Sequence, residues 1–272
     1  MNSTPNTSRL VFALQSLLGQ LVKKDLELMR PCRTASLMVL SKVSRNSMPS
    51  ILLDKVLSEQ REDGGWVGPN DTMWALIYLK VIGQQQGEAF QRGLSWLKSN
   101  RGSEYGWGRS SRDVARIPIT GRILYFLPEL ASEEYLEGLE RLWGQEFNSL
   151  TYKAAFTLAA FHASDYRPGK NGLIEDTVSW LVSQQNSDGG FAPWRDHPVG
   201  SEIYCTAVAL LGLTSFPELV DHTRILNAVR WIGCTQLPNG LWPYHQIEDG
   251  GSWGLFAIYL SSHVISNRKK GL

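Results

Sequence analysis

Apolar residues follow two patterns that alternate along the chain. In the first, they recur every three or four positions, as at Leu10, Leu14 and Leu17, and this spacing predicts amphipathic helices with one buried face. In the second, the apolar run is nearly unbroken, as in residues 204–213, and such runs predict helices buried on all sides. The alternation therefore predicts pairs in which an outer helix covers an inner one.

The two patterns predict twelve helices, six of each kind. The outer helices are expected at residues 8–27, 49–60, 88–99, 132–144, 171–185 and 219–235. The inner helices are expected at residues 32–44, 70–82, 114–128, 149–163, 202–214 and 251–265. No linker interrupts the alternation, so the sequence predicts an all-α fold, a closed (α/α)6 barrel, formed by residues 1–272 as a single domain.

The starts of the inner helices carry local signals. Pro118 is compatible with the third inner helix if that helix begins near Ile117, because a proline in the first turn costs no hydrogen bond. Residues whose side chains can cap a helix N-terminus precede or begin several other inner helices. The candidate caps are Asn70 or Asp71, Asp113, Ser149 and Ser252.

A second repeat lies where the outer helices end. Four times, an apolar helix end is followed by Gln or Asn and then by a glycine-rich turn that an aromatic ring closes, at Trp66, Trp107, Phe191 and Trp242. The first two rings are 41 residues apart and the last two are 51 residues apart. A period of this size is typical of helical arrays, because one repeat cannot bury its apolar face alone.

The repeated turns have a structural explanation. Glycine adopts positive φ where the chain reverses, and the ring packs onto the neighbouring repeat. The glutamines Gln60, Gln185 and Gln236 can bond free backbone groups at adjacent helix ends. We therefore assign a structural role to these rings and glutamines, and we look for function elsewhere.

The repeated turn resembles the Gln-Trp motif of squalene-hopene and oxidosqualene cyclases and, more broadly, the prenyltransferase and terpenoid-cyclase toroid superfamily. The resemblance extends from about residue 30 to the C-terminus. It implies a toroid of inner and outer helices whose central cavity holds an isoprenoid or similarly apolar substrate. It also implies a role in isoprenoid biosynthesis, within secondary metabolism.

Composition and charge limit the classes of binding partner and the cellular compartment that we expect for this protein. A net charge of +1 over 272 residues gives no electrostatic footprint for nucleic acid. Neither a membrane span nor a signal peptide is visible. The three cysteines, Cys32, Cys205 and Cys234, are odd in number and far apart, which favours a reducing, cytoplasmic compartment. Because the expected substrate is apolar, we also expect the protein to contact a membrane surface peripherally.

The candidate site lies where the inner helices begin, because six helix N-termini then surround one mouth of the barrel. The six inner helices can be aligned on the pattern Thr-Ala-x-Ala-Leu of residues 206–210. The residue just before the threonine position is then equivalent in all six helices and lies at the rim. The six rim residues are Arg33, Asp71, Ile119, Lys153, Cys205 and Trp253.

The resemblance also predicts an acid that this chain lacks. Class II terpenoid cyclases carry Asp-x-Asp-Asp before the Thr-Ala pair, and its middle carboxylic acid protonates an alkene or epoxide. Residues 202–205 read Glu-Ile-Tyr-Cys, and a phenol with a pKa of about 10 cannot protonate an unactivated alkene. The Asp-Asp-x-x-Asp of class I enzymes and the Asp-x-Cys of zinc prenyltransferases are missing too, so neither a metal nor another cofactor is expected.

Two rim carboxylates could supply the proton instead. Asp71 is the only carboxylate among the six aligned positions, and Glu202 occupies the first position of the acid motif. Buried in a dry aromatic cavity, either would have a raised pKa and could act as an acid, or as a base toward a cation. Tyr204 would orient the acid or cap the cavity. The alternatives are a helix cap for Asp71 and a favourable first-turn charge for Glu202.

Basic and aromatic residues near the mouth are candidates for binding substrate. Basic groups there would suit a diphosphate or carboxylate, or would form salt bridges with Asp71 or Glu202. These residues are Arg33, Arg116, Arg122 and Lys153. Rings that line the cavity would stabilise a carbocation, although such rings also form ordinary core. These rings are Trp74, Tyr125, Phe156, Tyr204, Trp253 and Phe256.

Three functions follow from these observations. The first is a noncanonical terpenoid or meroterpenoid cyclase or isomerase that acts on a hydrophobic polyene through a relocated rim acid. The second is a barrel that binds an apolar ligand without chemistry, since the usual acid is absent. The third is a carbohydrate-active (α/α)6 enzyme, which would need Asp71 and Glu202 to face each other across a cleft.

Overall fold

The structure is a computed structural model that describes residues 7–23, 25–102 and 104–269. Over these ranges the regular structure is helical and includes no strand. The outer helices are α1 (Thr7–Leu21), α3 (Ser50–Ser58), α5 (Glu88–Ser99), α7 (Glu133–Gln145), α9 (Leu173–Ser183) and α11 (His222–Thr235). The inner helices are α2 (Met29–Leu40), α4 (Pro69–Val81), α6 (Ile117–Phe126), α8 (Thr151–Ala163), α10 (Ile203–Ser215) and α12 (Ile247–Lys269).

The inner helices form a closed ring. Each packs beside the next in chain order, and α12 returns onto α2. The closure is reinforced by Arg30, whose Nε donates to Glu248 Oε1 at 2.6 Å. In the outer layer α1 packs on both α2 and α12. The predicted (α/α)6 barrel is therefore confirmed, and none of the described helices is long and apolar enough to cross a membrane.

Several helix boundaries differ from the predicted ones by three to six residues, among them both ends of α2, the end of α1 and the start of α12. Helix α1 ends at Leu21 instead of residue 27, and α12 begins at Ile247 instead of residue 251. The second difference arises because Gly250 and Gly251 lie inside the helix. A Cβ at Gly250 would come within 2.6 Å of Tyr244 Cβ, so this glycine permits close packing and does not mark a turn. Helix α6 begins at Ile117 instead of residue 114, which is the start that Pro118 in the first turn was expected to require.

The repeated turns are held by a recurring set of hydrogen bonds. Gln60 Nε2 donates to the carbonyls of Gly64 and Ala89, at 2.7 and 2.8 Å. Gln185 Nε2 makes the corresponding pair of bonds, to Gly189 and Arg224. Gln236 donates likewise within its own turn. The predicted contacts of the glutamines with backbone groups are thus confirmed, and the four closing rings are fully buried.

Threonine hydroxyls join the turns to the inner helices. The backbone N–H of Trp66 donates to Thr72 Oγ1 at 3.0 Å, and the N–H of Phe191 donates to Thr206 Oγ1 at 2.9 Å. Thr120 accepts in the same way from Trp107. Thr72, Thr120 and Thr206 occupy the threonine position of the sequence alignment, one residue after the rim position. The contacts therefore support that alignment at three of the six inner helices.

The predicted helix caps are wrong. The residues at the N-caps of α4, α6 and α8 are Gly68, Arg116 and Leu150, and none of them accepts a side-chain capping bond. Asp113 instead accepts from the Arg109 backbone inside the preceding loop, at 3.0 Å. The remaining candidates lie off the cap positions: Asn70 and Asp71 fall in the first turn of α4, Ser149 precedes the N-cap of α8, and Ser252 lies within α12.

Candidate functional site

A pocket of about 530 Å³ opens at the mouth of the barrel, beside the first turns of α4, α6 and α8. This volume falls within the range of about 300–1,000 Å³ that is typical of small-molecule sites. The lining is formed by Asn70, Asp71, Arg109, Arg116, Pro118, Ile119, Arg122, Glu146, Leu150, Tyr152 and Lys153. The pocket therefore brings together Asp71, Arg116, Arg122 and Lys153 of the predicted site residues.

Asp71 is the carboxylate of this pocket that has no cationic partner among the described residues. It lies at the third position of α4 and is half-buried. Burial raises the pKa of Asp71, and the negative charge of Glu27 acts in the same direction. A carboxyl group in this setting holds its proton to a higher pH than an exposed one.

The predicted basic residues have acidic partners, but not the expected ones. Arg116 Nε lies 2.8 Å from Asp113 Oδ2, and Lys153 forms an ion pair with Glu146. Arg33 is buried, and its Nε lies 2.8 Å from Asp249 Oδ1. The expectation of salt bridges to Asp71 or Glu202 is therefore wrong for these three residues. Asp113 lies in the loop before Arg116, so the loop itself neutralises that arginine.

Two other arginines border the pocket without a carboxylate partner in the part of the chain described. Arg109 is exposed at the entrance of the pocket. Arg122 lies deeper, where its Nε donates to the Pro118 carbonyl at 2.6 Å and its guanidinium lies 5.6 Å from the centre of the Phe156 ring. Burial lowers the pKa of Arg122, which means that its charge is incompletely solvated.

Glu202 and Tyr204 lie outside the lining of this pocket. Glu202 is the N-cap residue of α10, and its Oε1 accepts a hydrogen bond from Cys205 Sγ at 2.9 Å. Burial raises the pKa of Tyr204, so its phenol stays protonated at neutral pH. The Tyr204 ring lies between Tyr152 and Tyr244, at centroid distances of 6.2 and 6.1 Å. These residues form a second cluster beside α10 and do not face Asp71 across the pocket.

The predicted cavity-lining rings instead fill the axis of the barrel. Trp253 is 1% exposed, and its ring lies 5.8–6.5 Å from five other aromatic rings. These rings belong to Trp74, Phe126, Phe156, Tyr204 and Phe256. None of them lines the pocket at the mouth, which is charged where an apolar, aromatic cavity was expected.

Tyr125 lies at the other end of α6, away from the mouth. Its ring stacks edge-on against Phe126 at 4.6 Å, and burial raises its pKa to about 12. The structure therefore places Tyr125 apart from the pocket. No cluster of three or more metal-binding side chains occurs among the described residues.

Sequence reasoning missed Asp249. This carboxylate is 6% exposed, and it contacts Arg33 in an ion pair whose N–H does not point at the oxygen, so both atoms lack an aligned hydrogen bond. Burial raises the pKa of Asp249, while Arg33 and Arg122 oppose that shift. Asp249 was overlooked because the last inner helix was expected to begin only at residue 251, which left Asp249 outside it. The acidic pair at 248 and 249, placed just before a buried helix, was the available signal.

Comparison with known sequences gives partial matches to triterpene cyclases. No protein-family model matches the chain. Protostadienol synthase A of Arthroderma gypseum is 28% identical over 124 residues, which cover 42% of this chain and 16% of that protein. Squalene–hopene cyclase of Zymomonas mobilis is 30% identical over 135 residues, which cover 46% of this chain and 19% of that protein. The chain thus matches less than a fifth of the length of these relatives.

Comparison with solved structures covers nearly the whole chain. The type II terpene cyclase MstE from Scytonema, in complex with its substrate geranylgeranyl dihydroxybenzoate, has a TM-score of 0.77 at 14% identity, over 94% of this chain and 97% of that one. A protein from Actinoplanes has a TM-score of 0.76, also at 14% identity, over 94% and 99% of the two chains. The chain therefore has the (α/α)6 fold of the type II terpene cyclases, and the resemblance that its repeated turns predicted is confirmed.

Proposed function

We propose that this protein is a terpenoid or meroterpenoid cyclase or isomerase, which binds a hydrophobic polyene at the mouth of the barrel and uses Asp71 for proton transfer. The observation that carries the proposal is the setting of Asp71. It combines a raised pKa, a place in the mouth pocket and the lack of a cationic partner in the described chain. The fold shared with type II terpene cyclases supports the reaction class.

Asp71 is a better candidate for the acid than the other groups near the mouth. Glu202 is engaged by the Cys205 thiol outside the pocket, and Tyr204 is too weak an acid to protonate an alkene. Asp249 also has a raised pKa, but it is paired with Arg33 and does not line the pocket at the mouth. A neutral carboxylic acid that borders open space is therefore provided best by Asp71.

The proposed reaction is an isomerisation and needs no co-reactant. The carboxylic acid of Asp71 gives its proton to one carbon of an alkene, and a cation forms at the neighbouring carbon. The π electrons of a second alkene attack that cation, which forms a carbon–carbon bond and moves the charge along the chain. Loss of a proton from an adjacent carbon restores an alkene, and the Asp71 carboxylate is the group that can receive it.

The rings on the axis support the later steps of this reaction. Face-on aromatic rings stabilise a cation by about 0.5–2 kcal/mol each, with the larger values in desolvated sites. Trp74, Phe156 and Trp253 lie beneath the mouth and are fully buried. Because these rings fill the axis, an alkene chain that enters from the mouth has to displace part of the aromatic cluster.

The test is turnover of prenylated substrates by matched variants. Wild-type protein is incubated with a benzoic acid that carries a geranylgeranyl chain, and mass spectrometry and NMR look for a product of equal mass with fewer alkenes. Asp71→Asn should lower turnover by about 10²–10⁴-fold, the usual contribution of general acid–base catalysis, while the melting temperature is kept. Asp165→Asn, at an exposed carboxylate, is the control and should retain full turnover.

Other variants decide among the alternatives. Glu202→Gln and Tyr204→Phe should cost less turnover than Asp71→Asn. Full activity of Asp71→Asn with loss in Glu202→Gln would transfer the role to Glu202. Binding of the isoprenoid with no turnover of any substrate would favour a non-catalytic barrel. A thermal shift with oligosaccharides and none with isoprenoids would favour a carbohydrate-active enzyme, although Glu202 lies outside the pocket of Asp71.

Contact with a membrane surface forms a further part of this proposal. The loops that surround the mouth expose apolar side chains: Val67 is 70% exposed, Val114 is 64% exposed and Val199 is 68% exposed. Trp194 is exposed in the same loop as Val199. Exposed apolar residues rimmed by cations are typical of surfaces that meet lipid. Replacing the three valines with serine should weaken sedimentation with anionic vesicles, and unchanged sedimentation would refute the contact.

A further inference from the structure

A second pocket lies on the outer wall of the barrel, beside the end of α9. It has a volume of about 330 Å³ and is lined by the third repeated turn, at 185–189, by Arg195 and by Arg224, Asn227 and Arg230 of α11. None of these residues lines the mouth pocket. Because three of the lining residues are arginines, we call this space the arginine pocket.

The first and third repeated turns contact the next outer helix in the same way. In the first turn, Gln60 Nε2 donates to the Ala89 carbonyl of α5 at 2.8 Å. In the third turn, Gln185 Nε2 donates to the Arg224 carbonyl of α11 at 2.9 Å. The bond is made to the backbone, and an alanine serves at this position in the first turn. The side chain of Arg224 is therefore not needed to hold the turn.

Arg230 is not needed by the turn either. In both helices a tryptophan donates its indole N–H to the aspartate of the turn, at 2.9 Å in the first turn and at 3.0 Å in the third. The residue before that tryptophan is Ser95 in α5 and Arg230 in α11. The same contact thus forms beside a serine or an arginine, and no hydrogen bond ties the Arg230 guanidinium to the described chain.

The pocket is open because Asn227 is short. A Cβ on the glycine of the turn would lie 2.9 Å from the Arg92 carbonyl oxygen in the first turn and 2.7 Å from the Asn227 carbonyl oxygen in the third, so these two positions are equivalent. The Arg92 guanidinium donates to the carbonyls of residues 61 and 62, both at 2.8 Å, and so occupies the side of its turn. The Asn227 side chain makes no such bond, which leaves the corresponding side of the third turn open.

Asp188 is the carboxylate that lines the arginine pocket, and it belongs to the framework of the turn. Its Oδ1 accepts from the Gly190 N–H and the Ser201 hydroxyl, at 2.9 and 2.8 Å, and its Oδ2 accepts from the Trp231 indole at 3.0 Å. Asp63 accepts the equivalent backbone and indole bonds in the first turn. Asp188 is therefore engaged by neutral donors and not by the arginines.

Arg224 and Arg230 form no ion pair with the residues that the structure describes. Arg224 Nη1 donates to Gln185 Oε1 at 3.4 Å, which is a long bond to a neutral acceptor. Asp221 lies within electrostatic reach of Arg224 but caps α11; the Thr223 N–H, and after it the charge of Arg224, lower the pKa of Asp221. Both guanidinium groups are therefore available to an anion.

Arg195 brings a third guanidinium from the loop after the turn. Its Nε lies 3.6 Å from Asp196 Oδ2, but the two side chains are 57% and 83% exposed, so water and salt screen this pair. The loop is tied to the turn, because the Arg195 N–H donates to Gln184 Oε1 and the Asp196 N–H donates to Asn186 Oδ1, both at 3.0 Å. Arg195 is thereby held beside the two arginines of α11.

We infer that the arginine pocket binds a phosphate group. Guanidinium groups pair with phosphate oxygens through parallel, charge-assisted hydrogen bonds. A phosphate monoester carries a charge of about −1.5 to −2 and three free oxygens, which three arginines can share, whereas a carboxylate has one charge and two oxygens. Two sources carry this group, namely phosphate esters in solution and the head groups of phospholipids. The inference is independent of the proposed function, because the mouth pocket shares no residue with this one.

The experiment compares the wild type with a variant whose α11 carries the residues of α5. Arg224→Ala and Arg230→Ser are combined, and the melting temperature should not fall, because the first turn is built with these residues. Calorimetry at low ionic strength measures the Kd of inorganic phosphate and of acetate. The wild type should bind phosphate at one site and acetate much more weakly. In the double variant the Kd for phosphate should rise at least about 10-fold, the usual effect of losing one hydrogen bond to a charged group.

A control variant and a vesicle assay complete the test. Arg112→Gln removes an exposed arginine that lines neither pocket and should leave the Kd for phosphate unchanged. Sedimentation is then compared between vesicles of phosphatidic acid and vesicles of phosphatidylserine with equal net charge. A preference for phosphatidic acid that the double variant loses would assign the pocket to lipid head groups. Equal sedimentation, together with binding of inorganic phosphate, would assign it to soluble phosphate esters.

Three results would overturn the inference. The first is the same Kd for phosphate in the double variant and the wild type. The second is an absence of phosphate binding together with vesicle sedimentation that does not depend on the two arginines. The third is equal affinity for acetate and phosphate, because the pocket would then respond to negative charge alone.

Discussion

Trp253 is the ring on which the aromatic residues of the barrel axis converge, and its removal should open the axis. The side chain is 1% exposed, and five rings surround it at centroid distances of 5.8–6.5 Å. Each distance lies within the range of about 4.5–7 Å in which aromatic pairs attract. Truncation to alanine leaves these neighbours without a partner on one side, because the ring of inner helices limits how far they can collapse.

We expect Trp253→Ala to lower the free energy of unfolding by about 3–5 kcal/mol, the usual cost of truncating a buried tryptophan or phenylalanine. For a protein of this size that loss corresponds to a fall in melting temperature of roughly 6–20 °C. The cavity should be dry, since the side chains around it are mostly aromatic and aliphatic. A dry cavity binds small apolar molecules, so benzene or xenon should restore part of the lost stability.

The assay is urea denaturation followed by circular dichroism, repeated in the presence of benzene. Trp194→Ala is the matched control, because this tryptophan is 45% exposed and a surface substitution changes stability by no more than about 0.5 kcal/mol. A loss below about 1 kcal/mol for Trp253→Ala, with no effect of benzene, would refute the description of a filled axis. It would mean that the rings already surround an open space.

Three other predictions test contacts around the mouth. Thr206→Val leaves the buried N–H of Phe191 without an acceptor and should cost about 1–3 kcal/mol in urea denaturation, whereas an unchanged midpoint would show that the turn does not depend on this bond. Asp249→Ala leaves Arg33 buried and unpaired and should lower the free energy of unfolding by about 3–5 kcal/mol. Simultaneous replacement of Arg33 by Met should recover part of that loss. If the effects of the two substitutions simply add, the result would argue against the pair. Because the folded chain raises the pKa of Asp71, its contribution to stability is complete below the ordinary aspartate pKa of about 3.9 and is lost as the pH rises through the folded value. Asp71→Asn should therefore flatten the decline of stability above about pH 4, and an identical pH profile in the variant would contradict the shift.

The helical architecture could be predicted because it depends on periodicity. The two apolar patterns located the paired helices, and Pro118 placed the start of α6 correctly. The boundary of α12 failed because glycine has two uses that sequence does not separate. A glycine such as Gly250 is typical of a chain reversal, but here it lies inside α12. The absence of a Cβ at Gly250 makes room for Tyr244 of the preceding loop.

The site could be predicted only in part, because its contacts join distant segments. Equivalent helix starts brought Asp71 into the candidate set, and Asp71 does line the mouth pocket. Sequence gave no means of pairing Arg33 with Asp249, which lies 216 positions later in the chain. Nor does composition distinguish rings that surround a space from rings that fill it, as Trp253 does, since both arrangements place aromatic residues on buried helix faces.

The closure of the ring has a consequence for how the chain acquires its structure. Arg30 of α2 meets Glu248 of α12, and Gly240 packs on the backbone of Arg9 and Ala13 in α1. These partners are separated by more than two hundred residues, so their contacts form only after α12 has been synthesised. During synthesis the faces of α1 and α2 that meet α12 stay uncovered until α12 leaves the ribosome. Chaperone demand should therefore be greatest for the unfinished chain, and a stop codon before α12 should yield aggregates instead of a smaller folded protein.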